Sequence, residues 1–164
     1  MDKGVFWFRT PGGEKLYGCG VNGVNSGCSP EAVQGRPAYY LWHLYPSIDA
    51  WAATIRRRLV QWGFNHVGAW TFAEREIGLP YIPNLDLGRL SQALWFDPFD
   101  PELAIRVNEW ADRLTVPHRQ HGLRIGYFPD NEVGWWNGAL FNFYLSKGWQ
   151  NNTKRLLCQL LYDR

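Results

Sequence analysis

The chain has 164 residues, 46% of them hydrophobic and 20% charged, with a formal net charge of +2. That is enough apolar material for one domain spanning residues 1–164, and it excludes a disordered polymer. A charge this small gives no reason to expect nucleic acid or an anionic membrane as partner, and no run of about 18 apolar residues predicts a membrane span.

Aromatic residues make up 16% of the chain, with ten Trp among them. Part of that content fills a core. Burying an indole whole requires a partner for its N–H, so a Trp excess predicts that some rings line a cleft. Clefts of that kind suit sugars, whose C–H faces stack on rings while their hydroxyls seek polar groups. Cys19, Cys28 and Cys158 follow no metal-binding or disulfide spacing and read as reduced thiols. The opening Met1-Asp2-Lys3-Gly4 leads straight into Val5-Phe6-Trp7-Phe8, without the apolar core and cleavage site of a signal peptide. Cellular location is left open, with the cytoplasm as default and export requiring residues upstream.

In chain order, residues 5–8 and 16–21 read as two strands joined by a turn at Thr10-Pro11-Gly12-Gly13. Residues 22–37 are rich in Gly, Ser, Asn and Pro and are long enough to be a loop over a site. Ser47 is expected to cap a helix with Asp49 in its first turn. Its stripe is Ile48, Trp51, Ala52, Ile55, Leu59 and Trp62, and Gly63 is its stop. The Arg56-Arg57-Arg58 run reads as that helix's solvated face. Residues 64–70 look like a strand buried on both faces. A helical turn is expected over 72–77, and 79–87 is a strand candidate weakened by Pro80 and Pro83. Asp100-Pro101-Glu102 opens a helix whose stripe is Leu103, Val107, Trp110, Ala111 and Leu114. Residues 123–128 form another apolar strand, and a last helix from near Thr153 carries Leu156, Leu157, Leu160 and Leu161.

Alternating strands and helices predict an α/β fold with a parallel sheet, either doubly wound or barrel-like. No Gly-rich fingerprint follows the clear strands, so no nucleotide cofactor is expected. His118 and His121 lack a matching ligand set, so no metal is expected either. His43, among Tyr39, Tyr40, Trp42 and Tyr45, is a candidate sugar contact.

The segment richest in chemistry is Phe128-Pro129-Asp130-Asn131-Glu132-Val133-Gly134-Trp135-Trp136. It delivers two acids and an amide at the end of an apolar strand, the catalytic face in barrels. Glycosidic cleavage requires a carboxylic acid that gives its proton to the leaving oxygen. Tryptophans around Glu132 are expected to desolvate it and raise its pKa toward that role. The plainer reading makes Asp130 and Glu132 ordinary loop acids beside core tryptophans.

Four motifs in order carry a resemblance: Tyr17-Gly18-Cys19-Gly20-Val21-Asn22, Trp62-Gly63-Phe64-Asn65-His66-Val67-Gly68-Ala69-Trp70, Asp97-Pro98-Phe99-Asp100-Pro101-Glu102, and Asp130-Asn131-Glu132. Together they resemble the retaining glycoside hydrolases of clan A, particularly the agarase-like and related β-glycosidase branches. The resemblance implies a partial (β/α)8 TIM barrel, about the first four βα units, preceded by a short N-terminal β-hairpin. It implies Glu132 as acid/base and Asn131 as a contact to a substrate hydroxyl. Trp70, Asn22, Trp135, Trp136 and Asp130 are then expected to face a β-linked saccharide, while Asn65 secures the start of its strand. The nucleophile of such enzymes follows the seventh strand, and no residue here is assigned to it. The chain is expected to be the N-terminal half of a barrel, either a truncated gene product or one that needs a partner half, with little or no hydrolysis alone. The alternative is a non-catalytic half-barrel that binds carbohydrate or pairs with another chain.

Overall fold

The computed structural model describes residues 4, 6–10, 12–25, 44–92, 97–132 and 137–164. It is a mixed α/β structure with small two-stranded sheets and, among the described residues, no closed barrel. The chain divides into two compact units, Met1–Pro83 with Gly122–Gly126, and Asn84–His121 with Tyr127–Arg164.

In the first unit, β1 (Phe8–Arg9) pairs antiparallel with β2 (Lys15–Leu16). The turn between them closes as its sequence predicts. Gly13 N–H donates to Thr10 O, and the Thr10 hydroxyl accepts from Glu14 N–H. The expected second strand is divided: 15–16 belongs to the hairpin, while β3 (Gly20–Val21) pairs in parallel with β4 (His66–Val67). Val67 is bridged in parallel to Tyr81, and Tyr81 to Arg124. The segments therefore lie side by side in sequence order, each parallel to the last. The strand expected over 79–87 shrinks to isolated bridges at Tyr81 and Asn84, because neither Pro80 nor Pro83 can donate to a ladder.

Helix α1 (Ile48–Gln61) starts where Ser47 Oγ accepts from Ala50 N–H and ends at Gly63, with φ 86°. Its inner stripe buries Trp51, Ala52 and Leu59 against Val67, Ile77, Leu79 and Tyr81. Phe72 meets the Trp51 ring edge-on, 5.6 Å between centroids. Trp62, expected in the stripe, is instead 69% exposed, because the helix has already reached its cap there. Arg56, Arg57 and Arg58 are exposed, as a solvated face requires. Val67, Gly68 and Ala69 are buried in succession, which is why 64–70 shows no alternation. The expected turn over 72–77 is α2 (Glu74–Ile77).

The second unit contains α3 (Leu87–Leu90), α4 (Leu103–Thr115), α5 (Asn137–Leu145) and α6 (Asn152–Tyr162). A parallel bridge joins Asn84 to Phe128, and Leu85 N–H donates to Phe128 O. The Asp100 carboxylate accepts from Glu102 N–H, as a capping acid should, yet the helix proper begins at Leu103. The stripe Leu103, Val107, Trp110, Ala111 and Leu114 is only half-buried. Leu160 and Leu161 of α6 are exposed, unlike Leu156 and Leu157. Helix α5 was not expected from periodicity, since Ala139-Leu140-Phe141-Asn142-Phe143-Tyr144-Leu145 is apolar nearly all round. No helix among the described residues is long and apolar enough to cross a membrane.

Candidate active site

In the first unit, Asn65 holds the first two parallel segments together. Its Oδ1 accepts from Cys19 N–H at 2.9 Å, and its Nδ2 donates to Tyr17 O at 2.6 Å. Asn65 therefore secures its strand, as expected. His66 lies on the Gly20 backbone so closely that a Cβ at Gly20 would collide with the imidazole. Burial holds the His66 pKa below its ordinary value.

The same close approach positions two of the candidate residues. A Cβ on Gly68 would collide with the Asn22 carboxamide. Gly68 N–H donates to Val21 O, and Gly23 N–H donates to Ala69 O, both at 2.8 Å. Asn22 and Trp70 thus stand at the ends of neighbouring parallel segments. Trp70 is 43% exposed and sits in the left-handed region, φ 57°. Left-handed backbone at a bulky residue costs free energy, and such positions concentrate at binding sites.

In the second unit, Asp130 is turned to the protein rather than to solvent. Both of its carboxylate oxygens accept the Gly88 N–H, at 2.9 and 2.8 Å, and Leu87 N–H donates to Pro129 O at 2.8 Å. The contact given to Asp130 is structural: it ties the end of the fourth segment to the start of α3. Asn131 and Glu132 follow immediately and are both exposed, with Glu132 left-handed at φ 46°. The expectation of a desolvated Glu132 is corrected here. Asp130 is drawn onto Gly88, and the left-handed turn then carries Glu132 out to solvent. Trp135, Trp136 and His43 lie outside the described residues.

Asp97 and Asp100 prove to be scaffold acids. Asp97 accepts four hydrogen bonds at the start of α6, from Thr153 Oγ1 (2.6 Å), Thr153 N–H (2.9 Å), Asn152 N–H (2.6 Å) and Asn152 Nδ2 (3.1 Å). Burial is the largest single influence on Asp97 and opposes ionisation. The four donors together outweigh it and hold the carboxyl below its ordinary range. The Asp97 charge in turn adds to burial in raising Tyr144. Asp100 is lowered first by Glu102 N–H and then by Arg106, whose guanidinium lies 2.8 Å away.

Sequence reasoning passed over the end of the third segment. Asn84 Nδ2 donates to Asp86 Oδ1 at 3.1 Å, while Arg89 pairs with Asp86 Oδ2 at 3.2 Å. The Asn84 side-chain oxygen and the Ser91 hydroxyl are buried without a hydrogen-bond partner among the described residues. Asp86 is left-handed as well, φ 47°. A left-handed residue thus follows the second, third and fourth parallel segments. The signal was present in Asn84-Leu85-Asp86 just after Pro83, but within a strand candidate a polar pair reads as strand surface rather than as a site. Among the described residues no group of three or more His, Cys, Asp or Glu forms a metal site. No family model matches the sequence, and comparison with curated proteins and with solved structures finds no match.

Proposed function

We propose that this chain contributes the first four βα units of a (β/α)8-barrel glycoside hydrolase. Its substrate class is β-linked poly- or oligosaccharide of galactose or glucose type, cleaved by a two-carboxylate retaining mechanism. Glu132 is the acid/base in this reading, and Asn131 beside it binds a sugar hydroxyl. The observation that carries the proposal is the placement of Asn131-Glu132. The pair follows Phe128 after Pro129 and Asp130, and the Phe128 segment is bridged in parallel to the third segment. The sequential order of the parallel segments supports it too, since doubly wound sheets reverse their order partway.

Chemically, Glu132 protonates the leaving oxygen and then takes a proton from the incoming water. Because Glu132 is exposed, bound saccharide is what covers the carboxyl in the reacting complex. Within the first unit, Asn22 and Trp70 stand at the ends of neighbouring segments and offer a hydroxyl partner and a stacking ring for saccharide. The second carboxylate is assigned to no residue of this chain.

The test is a pair of rates with the second carboxylate supplied, on the same polypeptide or on a partner half. Glu132→Gln should lower hydrolysis of a poor-leaving-group β-glycoside by roughly 10²–10⁴ while leaving saccharide binding intact. Unchanged hydrolysis removes Glu132 from the mechanism. The exposure of Glu132 favours a second reading, a non-catalytic half-barrel that binds saccharide. Binding to the 164 residues with no turnover in any reconstituted form would select it.

A further inference from the structure

A cleft of about 320 Å³ lies within the second unit, walled by Gln92, Asp97, Asp100, Arg106, Lys147 and Asn151. Its residues come from the loop before α4, the first turn of α4, and the turn joining α5 to α6. The acceptors on this wall are already engaged. Asp97 holds four donors from Asn152 and Thr153, and Asp100 holds the Glu102 N–H and the Arg106 guanidinium. The Asn151 carbonyl caps α6 by accepting from Lys154 N–H at 2.9 Å.

The open hydrogen-bonding capacity is on the donor side. Among the described residues, the Lys147 ammonium has no carboxylate within ion-pair distance and stands 4.0 Å from the centroid of the Phe143 ring. Lys154 adds a second cation close by, its Nζ donating to the carbonyls of Leu145 and Lys147 at 2.8 and 2.6 Å. Gln92 is exposed at the rim, left-handed at φ 59°, with its carboxamide making no hydrogen bond among the described residues. On this wall Arg106 and Lys147 face Asp97 and Asp100. Arg106 is paired with Asp100 and Asp97 holds four donors, which leaves Lys147 as the cation without a carboxylate partner among the described residues. Such a wall favours a ligand that brings acceptors and negative charge.

We propose that this cleft is an oxyanion subsite, binding the carboxylate or sulfate group of an acidic sugar through Lys147, with Gln92 contacting the same ring. The saccharide part rests on the function proposed above, whereas the oxyanion part rests on the cleft alone. The volume is at the small end of ligand sites and suits one substituted sugar ring rather than a long chain.

The experiment titrates the full chain with four probes: inorganic sulfate, a galacturonic-acid trisaccharide, a sulfated galactose trisaccharide and a neutral galactose trisaccharide. Binding is read by calorimetry and by amide shifts at Gln92, Lys147 and Asn151. One or both acidic sugars should bind roughly 10–100-fold tighter than the neutral one, as a charge-assisted hydrogen bond implies. Comparing the two acidic sugars separates carboxylate from sulfate. Lys147→Met should bring acidic and neutral sugars to the same affinity at unchanged melting temperature, and Lys147→Arg should keep most of the preference. Equal affinities in the unaltered chain overturn the proposal, as does a preference that survives Lys147→Met. Lys147-dependent sulfate binding without any saccharide binding would keep the oxyanion site and sink the glycosidase reading. Neutral saccharide shifting Asn131 and Glu132 amides, with no acidic preference, would do the reverse.

Discussion

The two compact units are held together by different physics. In Met1–Pro83 with Gly122–Gly126, seven apolar side chains at or below 6% exposure form one cluster around Trp51 and Tyr81. In Asn84–His121 with Tyr127–Arg164, α4 has no fully buried residue, and the fixed points are polar. Asp97 grips the start of α6, Asp130 grips the start of α3, and Lys154 ties two carbonyls between α5 and α6. An apolar core is non-directional and tolerates repacking. Carboxylates at helix starts are directional and depend on ionisation. Every residue named in the oxyanion cleft, and Glu132 itself, belongs to the polar unit. The apolar unit holds Asn22 and Trp70.

The comparison breaks first at Trp51. Trp51→Ala should cost about 3–5 kcal/mol, from lost transfer free energy and an unfilled cavity. Denaturant melts read by hydrogen exchange should show the loss in α1 and β4 and leave the first turn of α6 protected. Equal loss in both units would mean that they unfold as one. Next comes Asp97→Ala, expected to cost about 2–3 kcal/mol, because removing a charged acceptor orphans several donors at once. Exchange should rise at Asn152 and Thr153 while α1 stays protected.

Acid should separate the units by pH window. His66 has its folded pKa below its unfolded value, so its contribution is present above about pH 6.5 and lost as pH falls through the folded value. Asp97 and Asp100 are also lowered, so theirs is present above about pH 4 and lost below it. The apolar unit should therefore weaken first on acidification, and His66→Gln should erase that early step. An early step that persists would place the titrating group elsewhere. The smallest effect is expected at Arg89, whose exposed pair with Asp86 should be worth under about 1 kcal/mol and vanish in high salt.

The candidate site was legible in part. Asn131-Glu132 stood out because an amide and an acid end an apolar run, and the segment is bridged to its neighbour as that reading requires. The exposure of Glu132 was not legible. It depends on a left-handed turn and on Asp130 choosing a backbone N–H 42 residues away. Lys147 gave no signal either, since a lysine before glycine reads as an ordinary turn residue.

By itself, the sequence determined the elements whose causes are local. Ser47 caps α1 three residues on, Gly63 ends it, Thr10 to Gly13 close the hairpin, and the 67–69 run is buried without alternation. Only the tertiary structure decided what the acids do. Asp97 meets Thr153 across 56 residues and Asp130 meets Gly88 across 42, and both contacts decide which carboxylates remain for chemistry. The physical reason is reach. Caps and turns are set by neighbours within four residues, whereas a carboxylate bonds whatever donor the folded chain brings to it.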